Sequence, residues 1–521
     1  MKKHIIKISF LALITLSFFS CSDFLDQEVK TELNNEQVYN TESGVESALN
    51  GVYSKFSDPG YYGSSFHGLV NVHSGRFFTN QTAAQDGAQL NCLTNNTWLD
   101  RLWPSMYQTI EQANLLIANV EGSELANRDT ALGNAYFLRA LTYFDLVRLF
   151  GGVPIKTEPA DYGNLHFPRS SKEDVYQLVI EDLNKAKNLL PENAADYRLD
   201  RPSKWAAYAY MAKVYMQLAS EEGAGSSYWQ MAWNEASQVY NKYSLVANYG
   251  NLFNEDASGE FSNEAIFELN YSHLGGIRNS DRARMYMPSN YLLDYNTFGW
   301  IRPNKEIFQQ HNTQYPNDPR IASTFIYGSY MRWNKNVNPP VLVNQNCYPT
   351  TSNGANGFTV LRKWFDPSYN GTTIQRNHIL FRYADLLLML AEIENEINGP
   401  ANAYQYVNEV LLRARNSVTP AAAQPADWSS MSQDEFRDRI MKERQYELLG
   451  EGQDWFDARR RGFQYFLDNT VVPHNNFVAT LPAAAIDFTY PETSTPMLLP
   501  IFIGEILNNN NMSQNDQNPG Y

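Results

Sequence analysis

Lys204 to Leu218, KWAAYAYMAKVYMQL, sets Ala206, Ala209 and Ala212 among large Tyr and Met side chains. The stretch has no Pro or Gly and is rich in good helix formers, which predicts a helix over about 203–220. Small residues between large ones let a second helix approach closely, so this helix should belong to a stack. The same period appears upstream. Residues 101–120 align Leu102, Met106, Ile110, Ala113 and Ile117, and residues 129–150 align Leu132, Ala135, Leu138, Leu141 and Leu146. Gly151-Gly152-Val153-Pro154 supplies a stop for the second of these. Further helices are expected over about 172–190, 229–242, 380–398, 401–416 and 432–449. The last opens on Ser432 and Glu435 in capping-box spacing.

These stretches make about eight helices, or four hairpins, and resemble tetratricopeptide repeats, whose unit is a helix hairpin of about 34 residues. An amphipathic segment with Val38, Val45, Ala48, Leu49, Val52 and Tyr53 precedes them. Two regions break the pattern. Residues 57–97 scatter Gly among aromatic residues and read as a loop-rich aromatic surface. Residues 243–378 are dominated by Asn, Gly, Pro and aromatics, with strand-like pieces at Ala265–Leu269 and Phe358–Leu361. The expected fold is therefore mostly α, with tetratricopeptide-like hairpins and a long loop-rich insertion carrying short strands. Such an insertion usually carries function. The expected platform covers about 101–242 and 380–462, with a ligand face in loops at about 57–98 and 243–378.

At the N-terminus, Lys2, Lys3 and Lys7 precede an apolar run to Phe19 and then Ser20-Cys21. This order reads as a secretory signal peptide over 1–20, although Phe18 leaves the usual small-x-small cleavage site incomplete. A Cys after a small residue resembles a bacterial lipobox, which predicts lipidation of Cys21. The alternative is an ordinary signal peptide with an unrelated cysteine. Residues 21–32 read as a tether, and 33–521 as one domain. The formal net charge is −15 at pH 7, and removal of the leader's lysines makes it more negative. That balance argues against nucleic acid, whose phosphates need clustered Lys and Arg, and favours neutral ligands. No second apolar run reaches membrane-spanning length, so attachment is expected through the lipid. Cys92 and Cys347 could pair or stay as two buried thiols.

Enzyme motifs are sparse. The eight histidines form no H-x-x-x-H pair, and there is no phosphate loop or G-x-S-x-G elbow, so neither catalysis nor a cofactor or metal is expected. Asn254-x-Asp256-x-Ser258-Gly259 imitates a calcium loop, but Ala265 stands where its closing Glu should be, so a turn is expected. Glu443, Glu447, Glu451, Asp454 and Asp457 suggest glycoside-hydrolase carboxylates. They alternate with Arg439, Arg444, Arg459, Arg460 and Arg461, which points to a structural ion-pair network with Trp455 packed beneath it.

The aromatic content, 33 Tyr and 10 Trp, suggests rings that bind. Sugars present flat C–H faces to an aromatic platform and a rim of hydroxyls to Asn, Asp, Gln or Arg. Two regions supply both. The first holds Tyr61, Tyr62, Phe66, His73, Arg76, Asn80, Gln81, Asp86, Asn96 and Trp98. The second holds Tyr271, Arg278, Asn279, Tyr286, Tyr291, Asn296, Trp300 and Arg302. Trp98 and Trp300 are the leading candidates. For every ring the alternative is packing beneath a loop.

Several segments resemble one family in order. They are Cys21–Asp26 (CSDFLD), Trp103–Ile117 (WPSMYQTIEQANLLI), Ala135–Pro154 (AYFLRALTYFDLVRLFGGVP), Arg201–Tyr215, Arg382–Glu392 (RYADLLLMLAE), Glu443–Gly462 (ERQYELLGEGQDWFDARRRG), Leu498–Ile501 and Gln517–Tyr521. Together they resemble the SusD/RagB-like outer-membrane nutrient-binding lipoproteins of Bacteroidetes. Phe502, where that family often has Pro, and the Asn run at 508–511 are departures. The resemblance implies a helical platform under an irregular binding face, with ligand aromatics in the early loop and just before Pro303. It places Trp103 in the core. It implies a cell-surface protein held in the outer membrane by a multiply acylated Cys21. It also implies a SusC-like TonB-dependent barrel as partner, over which the protein sits as a lid, and an oligosaccharide as cargo. The RagB branch suggests peptides instead.

Overall fold

A computed structural model describes residues 38–161, 163, 165–193, 199–223, 225–256, 258–271 and 279–521. The leader, Cys21 and the tether to Glu32 lie outside the described residues, as does Arg278. Helices of seven residues or more are numbered here in chain order. The first seven are α1 (Glu42–Phe56), α2 (Ser65–Val72), α3 (Thr97–Val120), α4 (Arg128–Phe150), α5 (Lys172–Leu189), α6 (Lys204–Glu222) and α7 (Tyr228–Val239). After the insertion's α8 (Lys305–Gln314) come α9 (Tyr383–Asn398), α10 (Pro400–Asn416), α11 (Gln433–Leu448), α12 (Asp454–Arg460) and α13 (Val472–Val478). The eight stretches expected to be helical all form helices.

Consecutive helices pack on one another from α3 to α7, and α1 lies across α3 and α4. The chain then leaves the stack for the insertion and returns at α9, which packs on α7, α10 and α11. The stack is thus continuous in space although interrupted in sequence. The alanines explain the close packing: Ala206, Ala207, Ala209 and Ala212 of α6 are fully buried. Helices α4 and α9 are buried around nearly their whole circumference, which makes them the axis of the core.

Local signals act as expected at the helix ends. Ser432 and Glu435 form the capping box of α11. Gly151 stops α4 at φ 74°, a backbone region that costs glycine little. The orphan carbonyls left by α4 are taken by the C-terminal tail and by Arg169: Leu149 O accepts from Leu499 N, and Phe150 O accepts from Asn518 Nδ2 and from Arg169. This is the physical use of the tail segments that stood out in the sequence. Trp103 is core, donating to Glu505 at 3.2 Å. Asn254 and Asp256 bond within their own turn to Ser258. Cys92 and Cys347 are free and buried.

The strands form four antiparallel two-stranded ribbons among the described residues. β1 (Phe77–Thr79) pairs β3 (Ile301–Pro303), and β2 (Ala265–Leu269) pairs β8 (His378–Arg382). β4 (Phe325–Ile326) pairs β7 (Val360–Leu361), and β5 (Ser329–Asn334) pairs β6 (Val341–Asn346). The β2–β8 ribbon joins the first and last parts of the insertion, so it closes the insertion's neck.

Residues 57–97 depart from expectation. They contain α2 and β1, and residues 60–79 are buried throughout. The Tyr61 and Tyr62 hydroxyls both donate to Asp145 of α4 at 2.7 Å. The aromatic residues here are the packing between α1, α4 and the insertion, not a surface.

A buried ion network holds the insertion to the platform. Glu447 of α11 accepts from Arg320 and Arg382 of the insertion, at 3.0 and 2.6 Å, and from Arg413 of α10. Glu264 bridges Arg382 and Arg413 at 2.9 Å each, and Glu451 binds Lys363 and Arg382. The sequence placed a network here but with the wrong cations for these glutamates. The neighbouring arginines serve elsewhere: Arg444 and Arg460 bind Asp457, and Arg459 donates to backbone carbonyls. Trp455 is fully buried against Arg459, as expected.

Two buried glutamates therefore titrate in opposite directions. The three guanidiniums overcome desolvation and hold the Glu447 carboxyl well below its usual range. At Glu268 of β2 burial outweighs the bonds from Asn377 and Phe261 N and the charge of Arg376, and pushes the carboxyl up to about 7. Glu447→Ala removes the carboxylate that three buried guanidiniums share, leaving them only Asp318, Glu443, Glu264 and Glu451, and should cost about 3–5 kcal/mol of unfolding free energy in urea titration at neutral pH. A depressed carboxylate stabilises above its unfolded pKa, so this deficit should shrink as pH falls below about 4. A raised carboxyl has the reverse sign, because the folded chain keeps a proton that the unfolded chain releases. Glu268→Gln should therefore raise the melting temperature at pH 8 relative to the parent, with the gain disappearing toward pH 4.

Candidate functional site

The two regions singled out in the sequence meet at the β1–β3 ribbon, where Thr79 lies opposite Ile301 and Phe77 opposite Pro303. Immediately beyond the Thr79 end lie exposed Asn80 on one strand and half-buried Trp300 on the other. Trp300 is stacked with Phe298, ring centroids 5.0 Å apart and planes within 6°. The Arg284 guanidinium lies 5.8 Å from the Phe298 centroid and 5.3 Å from that of Trp300. Phe298 is 37% exposed and Tyr295 41%. The result is an open platform of paired rings, with Asn80, Asn296 and Arg284 as hydrogen-bonding groups.

The backbone makes this pairing possible. Gly299, between the two rings, has φ +55°, and a Cβ there would lie 2.9 Å from Pro288 Cα. Only glycine fits both the left-handed turn and the close approach. Phe298 N donates to Arg284 O, and Arg302 Nε donates to Gly299 O at 2.9 Å while its Nη1 bonds Ala355 O. Arg302 is thus buried and holds the turn from behind. That corrects its expected place at the ligand.

Other expected contacts are corrected in the same way. Trp98 is only 8% exposed; its ring lies so close to Gly68 that a Cβ there would be 2.7 Å from it. Tyr61, Tyr62, Phe66, Tyr271 and Tyr286 are buried. Tyr271 donates to Ser57 O, and Tyr286 accepts from Asn71 at 2.6 Å. His73 packs on Trp455, its Nδ1 3.1 Å from Gly87 O, and burial lowers its ring to about 4. Asn96 caps α3 by accepting from Trp98 N and Leu99 N, and Asp86 accepts from Asn96 and Leu93 N. Tyr291 is half-buried, edge-on to Phe365, and Asn279 bridges to Thr373. Arg76 lies at the opposite end of β1, in a separate cavity.

Phe298, Arg284 and Tyr295 were missed from the sequence. The Phe-Gly-Trp spacing was the available signal, since a glycine turn between two rings can bring them face to face. Among the described residues no group of three or more His, Cys, Asp or Glu is arranged to hold a metal. Nor is any described helix long and apolar enough to cross a membrane.

Family models match most of the chain: the SusD family over residues 263–521, and a model described as starch-binding, associating with outer membrane, over 23–216. The chain is 27% identical over 491 residues to SusD-like protein P25 of Formosa agariphila, covering 86% of this chain and 88% of that one. A SusD homologue from Bacteroides thetaiotaomicron superposes with a TM-score of 0.77 at 20% identity, covering 95% of this chain and all of the other. A laminarin-binding SusD-like protein superposes at 0.67 and 21% identity, over 93% of this chain and all of the other.

The buried Trp98 and the exposed platform ring Phe298 should respond differently to truncation. Trp98→Ala opens a core cavity and should lower unfolding free energy by about 3–5 kcal/mol. Phe298→Ala, at an exposed ring, should change it by under about 1 kcal/mol. Chemical denaturation of both variants measures the contrast.

Proposed function

The chain belongs to the SusD/RagB-like family, and from that premise we propose that it is a cell-surface lipoprotein binding a neutral oligosaccharide. It delivers that ligand, without catalysis, to a SusC-like TonB-dependent barrel in the outer membrane. The observation that carries this reading is the parallel-stacked Phe298–Trp300 pair at the open end of the β1–β3 ribbon. Stacked rings offer a flat apolar surface to the C–H face of a pyranose, and Asn80, Asn296 and Arg284 can bond the hydroxyl rim. The laminarin-binding relative and the starch-binding description of the N-terminal family model support the same ligand class.

The acidic residues near the C-terminus support binding without hydrolysis. Glu443 and Glu447 are buried and Glu451 partly so, and they are committed to Arg320, Arg382, Arg413 and Lys363, whereas hydrolysis needs two carboxyls facing a sugar. An open platform also orders a flexible chain for a small contact, so its own affinity is weak. Retention by a barrel beneath it, with several acyl chains on Cys21, compensates for that weakness. One acyl chain alone gives only marginal membrane attachment.

Calorimetry of the purified chain with laminari-oligosaccharides, xylogluco-oligosaccharides and an extended peptide tests the reading. At least one glycan should bind, and Phe298→Ala and Trp300→Ala should each weaken it about tenfold, a loss of about 1.4 kcal/mol. Unchanged affinity in both variants would overturn the platform. Binding of the peptide and of no glycan would overturn the ligand class in favour of peptide uptake.

A further inference from the structure

Two histidines face each other at the base of the insertion. His67 of α2 and His378 of β8 have ring centroids 4.3 Å apart, and each is at most 1% exposed. All four ring nitrogens are buried without a protein partner. Trp364 stands edge-on to both rings, at 5.1 and 4.8 Å, and Tyr62 does the same at 6.2 and 5.9 Å.

The ionisable groups around the pair offer it no counter-charge. Arg282 reaches both rings with its charge, and it is itself buried, with Nη1 unpartnered and Nε 3.4 Å from Ser280 Oγ. Its guanidinium lies over the Tyr271 and Trp364 rings, at 4.6 and 5.2 Å. The Tyr62 hydroxyl is committed to Asp145, and the Tyr286 hydroxyl to Asn71. Asp366 favours the charge on Arg282 and Arg376 opposes it, while the Asp366 carboxylate accepts from Gln375 N, Arg376 N and Ser368. After α11, a Cβ at Gly452 would lie 3.5 Å from the His67 ring, but its neighbours Glu451 and Asp454 bond Lys363, Arg382 and Gly450 N. On β2, opposite β8, Glu268 accepts from Phe261 N.

Burial, and then the charge of Arg282, hold both histidines well below the ordinary value for an imidazole. Opening frees the rings to bind protons below about pH 6.5, so the closed form weakens as pH falls, by up to about tenfold per pH unit for each ring. His73 and His311 share this sign but pack on other partners, Trp455 and Asp318. Glu268 and Asp454 have the reverse sign.

One short helix, Arg282–Tyr286, joins the pair to the platform. Arg282 faces the histidines, while Arg284 borders the Phe298 and Trp300 rings and its carbonyl accepts from Phe298 N and Gly299 N. A displacement of this helix therefore reaches the turn that stacks the rings.

We propose that the His67–His378 pair is an acid-sensitive latch on the ring platform: protonation repels Arg282, shifts the Arg282–Tyr286 helix and frees the turn at Gly299, so that bound glycan is released. The release step rests on the reading of the platform as the ligand site; the latch itself does not.

Hydrogen exchange of the purified chain without glycan tests the latch, with rates corrected for the intrinsic effect of pH. Between pH 7.5 and 5.0 the protection of residues 282–300 should fall at least about tenfold, and earlier than that of α4 and α9. His67→Met and His378→Met replace rings that make no hydrogen bond with the protein. Each should remove a large part of that fall, and the double variant nearly all of it. Three results overturn the latch: protection of 282–300 unchanged by acid, α4 and α9 opening with or before it, or the acid response persisting in a folded double variant. Should the variants fail to fold, the order of opening in the unmodified chain decides. Calorimetry with laminari-oligosaccharides and xylogluco-oligosaccharides reads the release step. A sugar bound at pH 7.5 should bind at least about tenfold more weakly at pH 5.0, with the loss absent from the double variant. Equal affinity at both pH values while 282–300 opens overturns the link to the platform. Absence of any sugar binding at pH 7.5 is instead a failure of the platform reading, and the exchange result then judges the latch alone.

Discussion

The Glu447 carboxylate is the constraint on which the rest of the structure depends. Its oxygens take guanidiniums from three separate parts of the chain, and Glu264 and Glu451 share two of those cations or their neighbours. A helical stack stabilises itself by apolar burial, but an insertion of more than a hundred residues with only short ribbons has little periodic core of its own. Anchoring it through fully desolvated ions gives direction as well as attraction, because a guanidinium donates in a fixed plane. The desolvation cost is large, so a network of this kind contributes register more than net stability. Register is what the binding face needs. The rings at 298 and 300 lie far along the chain from Asn80, and they meet only because the insertion is seated in one position.

The β2–β8 ribbon makes that seating geometrically possible. It joins the first and last strands of the insertion, so the segment leaves the stack and returns at nearly the same place. Helix α9 can then pack directly on α7 as though nothing intervened. Arg382 ends β8 and Tyr383 begins α9, so one residue belongs at once to the ribbon, the ion network and the start of the platform's second half. The β1–β3 ribbon performs the equivalent task at the surface, bringing the early segment and the insertion together over three residue pairs.

The helices were legible because periodicity and capping are local: a stripe of apolar residues every three or four positions, a Ser-x-x-Glu box, a glycine stop. The network was half legible. The carboxylates on α11 announced it, but their partners Arg320, Arg382 and Arg413 come from elsewhere in the chain, and nearby arginines were the only cations a linear reading could offer. The site was least legible. Trp98 and Trp300 look alike in the sequence, each among Asn and aromatic neighbours, yet one sits over Gly68 in the core and the other over a turn at Gly299. What separates them is a glycine that admits a ring to the interior in one case and turns the backbone outward in the other. Composition made the early region look like a surface because Tyr carries a polar tip. Asp145 on α4, more than eighty residues away, satisfies that tip and turns Tyr61 and Tyr62 into core residues.

The ribbon also sets the spacing between the ring platform and the separate cavity at Arg76. Asn80 and Trp300 lie beyond one end, Arg76 and Glu306 beyond the other, and a strand advances about 3.3 Å per residue. From Asn80 to Arg76 the backbone therefore covers roughly 13 Å, through residues that are buried and paired to β3. Neither end can shift without breaking the ladder, so the two surfaces hold a fixed separation. A flexible glycan gains little from a single open platform, because most of its contact energy offsets the entropy of ordering its own units. A second contact made by a partner beneath the platform changes that balance, since it is then intramolecular and depends on effective concentration. A rigid three-residue ribbon favours that contact, because a platform that cannot shift presents every glycan to the partner in one orientation.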